Sequence, residues 1–271
     1  MIHPRTGHVT VKASSREAQL EQEIEKAIAS EVPVAFIYND VSHAVMMCTP
    51  QDLEDFARGF SLSEGIINKA EDIESIDIRE AENGLLLTMK IPEENFMGVL
   101  RRKRNLTGST SCSLCGIENL EEALCMPPAI ESTVNISADA IYKAYDDLMQ
   151  HQPEKKITGA VHAAAFVDVD GNIMLVREDV GRHNALDKLI GASLAAGISP
   201  QNGFVLLTSR CSSEMVQKAV FFGAPILAAI SAPTSLAVTL ADAANLTLVA
   251  LLREKRFITF THTDRITDPR L

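Results

Sequence analysis

Two cysteines set two residues apart, Cys112 and Cys115, stand in the run Gly108-Ser109-Thr110-Ser111-Cys112-Ser113-Leu114-Cys115-Gly116. Small and hydroxyl residues of this kind build no core, so the run reads as an exposed loop with accessible thiols. A Cys-x-x-Cys pair commonly depresses one thiol pKa, and the cationic run Arg101-Arg102-Lys103-Arg104 just upstream favours a thiolate. The thiolate is the species that attacks sulfur, which makes Cys112 or Cys115 a candidate nucleophile that takes up sulfur as a persulfide. Zinc binding and an inert loop are the competing readings. A structural zinc site needs four ligands, and neither Cys125, His162 nor His183 stands at a spacing that demands one. A thioredoxin-like reading lacks the strand that runs straight into a helix at the pair. Of the other thiols, Cys48 beside Met46 and Met47 reads as a buried small hydrophobe. Cys125 reads as structural, and Cys211 as bordering a site.

A second kind of chemistry is written at three predicted strand ends. Glu178-Asp179-Val180-Gly181-Arg182-His183-Asn184 follows one strand and opens a helix. Helix N-termini present unpaired N–H groups, Gly181 lets a ligand approach the backbone, Arg182 can pair a phosphate and His183 can donate or move a proton. Thr208-Ser209-Arg210-Cys211-Ser212-Ser213-Glu214 and Ser231-Ala232-Pro233-Thr234-Ser235 repeat the design. In open α/β sheets, ligands collect where such ends meet. Helix capping alone would account for Ser212, Ser213 and Asp179. The basic turn Leu251-Leu252-Arg253-Glu254-Lys255-Arg256 is a further candidate anion contact, set against a solvated hairpin tip. No Walker-type or G-x-G-x-x-G loop is present, which argues against an ordinary ATPase or dinucleotide dehydrogenase.

The elements that must position these residues follow from pattern. The chain has 271 residues, 46% hydrophobic and 23% charged, which is ordinary globular composition. With 36 acidic against 25 basic residues and no Trp, the chain is a poor candidate for nonspecific nucleic-acid binding. An odd count of 5 cysteines and no apolar core in Met1 to Ser15 point to a reduced, cytoplasmic setting. The charge-free stretch Ala219 to Ala241 is divided by Gly223, Pro225 and Pro233, and is expected to be a strand between core helices, not a membrane span.

In the first half, a polar helix is expected over Ser15 to Ser30. Hairpins follow over Val32 to Thr49 and Ile73 to Ile91, with a helix opened and capped at Thr49 between them and a helix over Glu93 to Arg104. Pro127-Pro128 marks a linker, and Ser137 caps the next helix. The second half alternates apolar strands with helices, the mark of an α/β sheet covered on both faces. The division expected is a smaller α+β region over 1–136 and a binding core over 137–271.

Gly59-Phe60 with Ser63-Glu64-Gly65-Ile66-Ile67, the cysteine run, Thr158-Gly159 with His162-Ala163-Ala164, and Glu178 to Lys188 stand in order along the chain. Ser213-Glu214-Met215-Val216, Ser231 to Thr234 with Leu236-Ala237-Val238, Thr261-His262 and Arg265-Ile266 complete the set. Together these segments resemble the formate dehydrogenase accessory sulfurtransferase (FdhD) family from Phe56 to Ile266. The resemblance implies a sulfur carrier that takes sulfur from a cysteine desulfurase. It would pass that sulfur to the molybdenum cofactor, bis(molybdopterin guanine dinucleotide), before the cofactor enters formate dehydrogenase. It implies a three-layer cytidine-deaminase-like α/β core with a smaller α+β domain, and a homodimer.

Cys112 would carry the persulfide and Cys115 would assist or resolve it. Leu251, Leu252, Arg253, Glu254, Lys255 and Arg256, with Gly181, Arg182, His183, Arg210 and His262, would contact the cofactor. The family often has Gly-Phe where Ala250 and Leu251 stand, and Gly where Ala160 and Asn245 stand. A zinc deaminase is the runner-up reading, but it needs a Glu two residues after its ligand, and His162 is followed by Ala163 and Ala164. A non-catalytic chaperone for the cofactor is the other alternative.

Overall fold

The computed structural model describes residues 5–17, 20–105 and 129–268. Its α/β character rests on a six-stranded sheet of order β13-β12-β11-β10-β8-β9. These strands are β8 (His162–Asp168), β9 (Ile173–Asp179), β10 (Gly203–Leu207), β11 (Ile226–Ala229), β12 (Thr247–Arg253) and β13 (Arg256–Thr259), while the short β7 (Ile136–Ser137) pairs with β14 (Ile266–Thr267). β10, β11 and β12 run parallel, while β8 and β13 run against their neighbours. Side chains alternate between two buried faces, as period-two geometry requires. Ala164, Phe166, Val205, Leu207, Leu227 and Leu248 enter one core cluster. Ala165, Val167, Phe204, Leu206, Ile226 and Val249 enter the other. Apolar residues at every position of β10 and β11 are therefore a direct sign of burial on both sides.

Among the described residues seven α-helices are formed: α1 (Leu53–Ser63), α2 (Glu93–Asn105), α3 (Ala138–Leu148), α4 (Pro153–Thr158), α5 (Arg182–Ala195), α6 (Ser213–Phe222) and α7 (Ser235–Ala243). α3 closes one face of the sheet with Ile141, Ala144 and Leu148. Its start is capped as the sequence indicates, Ser137 Oγ accepting from Ala140 N at 3.1 Å. On the other face lie α5, α6 and α7, with Leu186, Leu189, Val216, Ala219 and Ala241 in the core. The charge-free stretch Ala219 to Ala241 accordingly resolves into the end of α6, β11 and most of α7. Among the described residues no helix is long and apolar enough to cross a membrane.

The first half builds a four-stranded sheet of order β4-β3-β6-β5. Its strands are β3 (Val32–Tyr38), β4 (Val41–Cys48), β5 (Ser75–Ala81) and β6 (Gly84–Lys90). Asn39 and Asp40 turn the first hairpin with φ of 46° and 67°, the left-handed pair that a two-residue loop demands. The inner face meets α1 through Phe36, Phe56 and Phe60, with ring centroids 4.9 Å and 4.5 Å from Phe36. The same core cluster continues from these rings to Leu186 and Leu189 of α5. Asn245 takes φ 55°. Asn is the side chain that best tolerates that region, and its amide donates to Ile130 O at 2.7 Å.

The expected helix over Ser15 to Ser30 is overturned. The segment belongs to a hairpin of β1 (His8–Glu17) and β2 (Leu20–Ala29). Helix propensity of Glu and Ala is a weak prior, and cross-strand matches outweigh it: Val9 faces Ile28, Ala13 faces Ile24 and Lys12 faces Glu25. The cap at Thr49 is also corrected. The residue before α1 is Asp52, with φ 52° and no side-chain cap. Thr49 is used elsewhere.

α1 crosses α5 at backbone distance because each supplies a glycine at the crossing. A Cβ on Gly59 would lie 1.7 Å from Asp187 O, and one on Gly191 would lie 1.8 Å from Asp55 O. Gly59→Ala must force the helices apart. We expect it to cost about 3 kcal/mol or more, read as a lower urea midpoint, whereas an unchanged midpoint would contradict this crossing.

Candidate functional site

The strand directions gather the predicted loops at one edge of the large sheet. The ends of β9, β10, β11 and β12 all lie there, with the start of β8 and of β13. The N-termini of α5, α6 and α7 follow three of these ends, so three sets of unpaired amides and three positive dipole ends converge. Two cross-links hold the loops together. Cys211 N donates to Ala232 O and Thr234 N to Cys211 O, at 3.2 Å and 3.0 Å. Leu251 N donates to Ser231 O at 3.2 Å.

A buried ion pair sets the loop that opens α5. Lys188 Nζ lies 2.6 Å from Asp179 Oδ2, and neither side chain is exposed. Lys188 also donates to Thr49 O at 2.8 Å, while Thr49 N donates to Asp179 Oδ2 at 3.0 Å. The other carboxylate oxygen accepts from Gly181 N and from Asn184 Nδ2, at 2.8 Å and 2.9 Å. Asn184 Nδ2 reaches on to Met47 O at 2.8 Å. Asp179 is thus committed to structure, as is Glu178, whose two oxygens accept from Glu154 N and Lys155 N at the start of α4. Gly181 has an added role: a Cβ there would lie 2.7 Å from Asn184 Nδ2.

What remains at the mouth is cationic and under-bonded. Arg182 is the first residue of α5, and its Nε is buried without a partner among the described residues. Ser212 precedes α6, yet its side chain caps no amide and its Oγ is equally unpartnered. Capping therefore accounts for Thr234, which accepts from Ala237 N at 3.2 Å, but not for Ser212. His183 Nε2 lies 2.5 Å from Glu214 Oε2, joining the first turns of α5 and α6. His162, at the start of β8, is held below its ordinary pKa chiefly by burial, with Lys155, Arg182 and His183 adding positive charge. Arg210, in the loop after β10, is exposed. Such an edge can hold an anion between helix N-termini and exchange a proton at an imidazole.

The basic turn joins this edge in part. Arg253 Nη1 donates to Ile230 O at 2.6 Å and Leu252 O at 2.7 Å, tying β12 to the end of β11. Leu251 sits at φ 56°, a left-handed position for a bulky residue at the irregularity between β12 and β13. Glu254, Lys255 and Arg256 are exposed, whereas the Leu252 side chain is buried in the core.

His262 lies elsewhere. Because β13 runs back along β12, His262 is carried to the opposite edge, where its carbonyl accepts from Thr247 Oγ1 and its Nε2 donates to Asp242 O. Cys48 and Cys211 are sealed in the core, and burial pushes each thiol up to about 12. Cys112, Cys115 and Cys125 lie outside the described residues, as do the side chains of Arg101 to Arg104 at the end of α2.

Residue spacing does not single out Glu214, since its partner is 31 positions away in sequence; its only sequence sign is an acid in the first turn of a helix. Its bond to His183, working against burial, holds its carboxyl below the ordinary 4.5. The stability this contributes is present above that ordinary range and is lost as pH falls through the lowered value. Glu214→Gln should flatten the fall in urea midpoint between about pH 5 and pH 3; an identical slope in both proteins would refute the pair.

The chain is 50% identical over 243 residues to the sulfur carrier protein FdhD of Xanthomonas euvesicatoria pv. vesicatoria, covering 90% of this chain and 86% of the relative. The sulfur carrier protein FdhD of Cupriavidus necator is 48% identical over 239 residues, covering 88% and 83%. A crystal structure of a candidate formate dehydrogenase accessory protein from Desulfotalea psychrophila superposes with a TM-score of 0.77 at 27% identity. It covers 97% of this chain and 100% of that one. The model of the FdhD/NarQ family matches residues 29–267, which takes in both sheets and every loop of the cationic edge, and this chain belongs to that family.

Proposed function

We propose that the protein is a sulfur carrier serving formate dehydrogenase, with Cys112 as the residue that bears the sulfur. The observation that carries this reading is the sealing of Cys48 and Cys211, whose burial and raised pKa leave them inert. Sulfur chemistry then falls to the remaining cysteines, of which Cys112 and Cys115 form the Cys-x-x-Cys pair. The names of the relatives, sulfur carrier proteins, agree with it.

In the loading step the Cys112 thiolate attacks the terminal sulfur of a cysteine desulfurase persulfide. A new S–S bond forms on Cys112, the desulfurase S–S bond breaks, and the desulfurase cysteine leaves as thiolate. A reducing compartment, the cytoplasm, keeps these thiols available. The acceptor is the molybdenum cofactor, bis(molybdopterin guanine dinucleotide), as substrate. Its pyrophosphates suit the amides at the starts of α5 and α6, with Arg182, Arg210 and the turn at Arg253 supplying charge. His183, braced by Glu214, gives that edge a proton donor. The order of α3, six-stranded sheet and α5–α7 supports the likeness to a cytidine-deaminase core.

The test is restoration of formate dehydrogenase activity in cells lacking their own accessory protein. The unaltered chain should restore it, and Cys112→Ala should restore none. Arg182→Ala should lower pyrophosphate-bearing guanine nucleotide binding by roughly tenfold or more while leaving sulfur loading intact. Full activity from Cys112→Ala would overturn the carrier reading in favour of a cofactor-binding chaperone.

A further inference from the structure

His162 is the imidazole of the cationic edge that no partner claims. It opens β8, opposite Asp179 in register. Alternation along β8 puts it on the face of Ala164 and Phe166, where Leu186 and Leu189 of α5 pack. It is half-buried there, and among the described residues its ring makes no hydrogen bond. Burial holds it below its ordinary 6.5, and positive charge from Lys155 on α4 and from Arg182 and His183 on α5 acts the same way. Asp179 on β9 works against them, but its carboxylate is already shared among Lys188, Thr49, Gly181 and Asn184. The end of β10 brings Thr208, uncharged, whose Oγ1 accepts from Ala163 N at 2.8 Å. Glu214 on α6 is bound to His183. His162 is thus an uncharged base set among cations.

We propose that the cationic edge takes up a proton together with its anion, and that His162 is the base that receives it. The proposal rests on the reading of this edge as a pyrophosphate site. In the empty edge a proton on His162 would stand beside Lys155 and Arg182 with no counter-charge to spare. A bound anion supplies that counter-charge, and one opposite charge within about 4–6 Å raises a pKa by about 1–3. A ring already half-buried has less water left to lose, so the charge decides the direction. The proton comes from water and goes to the unprotonated ring nitrogen. No other bond changes, and the proton returns to water when the anion leaves. Proton and anion then favour each other by the same factor. Between the empty-edge value and the higher loaded value, binding tightens up to about tenfold for each pH unit lost. Outside that window the contribution of His162 is level.

Proton NMR of the imidazole C2–H signals of the full chain, titrated from about pH 5 to about pH 8, tests this. The probes are sulfate and GDP-glucose, whose phosphates each keep a single fixed charge over that range, with chloride at the same ionic strength as control. His162→Gln identifies the signal by its loss and keeps a neutral polar side chain. In the empty chain His162 should titrate below 6.5, and either probe should raise it by about one pH unit or more. In His162→Gln the tightening of GDP-glucose binding on acidification should be smaller by about tenfold. A rise with sulfate but no binding of GDP-glucose would uphold the proton coupling and sink the pyrophosphate reading. GDP-glucose bound with His162 unmoved would overturn the coupling alone, as would His162 titrating at or above its ordinary value in the empty chain. Failure of both anions to bind would overturn the two together.

Discussion

The Lys188–Asp179 pair is the constraint on which the rest of the structure depends. Two unit charges sit wholly out of water, which is tolerable only because every other polar neighbour is turned towards them. Asp179 gathers donors from Lys188, Thr49, Gly181 and Asn184, and Lys188 donates in turn to Thr49. Those partners belong to the end of β4, the end of β9 and the first turns of α5. One ion pair thus fastens the small sheet to the large one and fixes the loop that presents Arg182 and His183. Removing either charge alone would leave the other buried and unpaired, a loss of about 3–5 kcal/mol.

A second buried cluster braces the same helices one layer further in. Lys218 on α6 lies 3.0 Å from Asp187 on α5 and from Glu64 just past α1, and Ser63 Oγ donates to Asp187 Oδ1 at 2.6 Å. Burial raises the Asp187 carboxyl, and the neighbouring carboxylates, chiefly Asp187, hold Lys218 in its charged form against burial. With Gly59 and Gly191 letting α1 and α5 touch, the three helices are packed into one block. The first turns of α5 and α6 are then held at fixed distance, so His183 and Glu214 meet, with Arg182 near enough to help lower the Glu214 carboxyl. A rigid scaffold with under-bonded groups at its edge is the arrangement that binds a ligand without reorganising.

The alternation of the second half was legible because buried parallel strands are written as apolar runs and Ser137 marks the start of α3 as a cap. That the loops after β9, β10 and β11 are binding elements could also be read, from helix N-termini beside arginine and histidine. Their meeting at one edge depends on strand order, which no local pattern encodes. For the same reason His262, grouped with the other cofactor contacts only through the family resemblance, gives no local sign that the reversal at β13 carries it to the opposite edge of the sheet. Thr49 read as a cap from its neighbours, while its partners, Asp179 and Lys188, lie more than 100 residues away. Over Ser15 to Ser30, Glu and Ala favour a helix locally, yet the register against β1 decides for a strand.

The account stands on Cys112 as the sulfur-bearing residue, with the buried thiols as silent bystanders. The most direct measurement is to incubate the reduced chain with a cysteine desulfurase and cysteine, then locate added sulfur by intact-mass and peptide mass spectrometry. The account predicts one added sulfur atom on Cys112, removed by reductant and absent from Cys48 and Cys211. Sulfur on either buried cysteine, or no adduct at all on a folded chain, would contradict it.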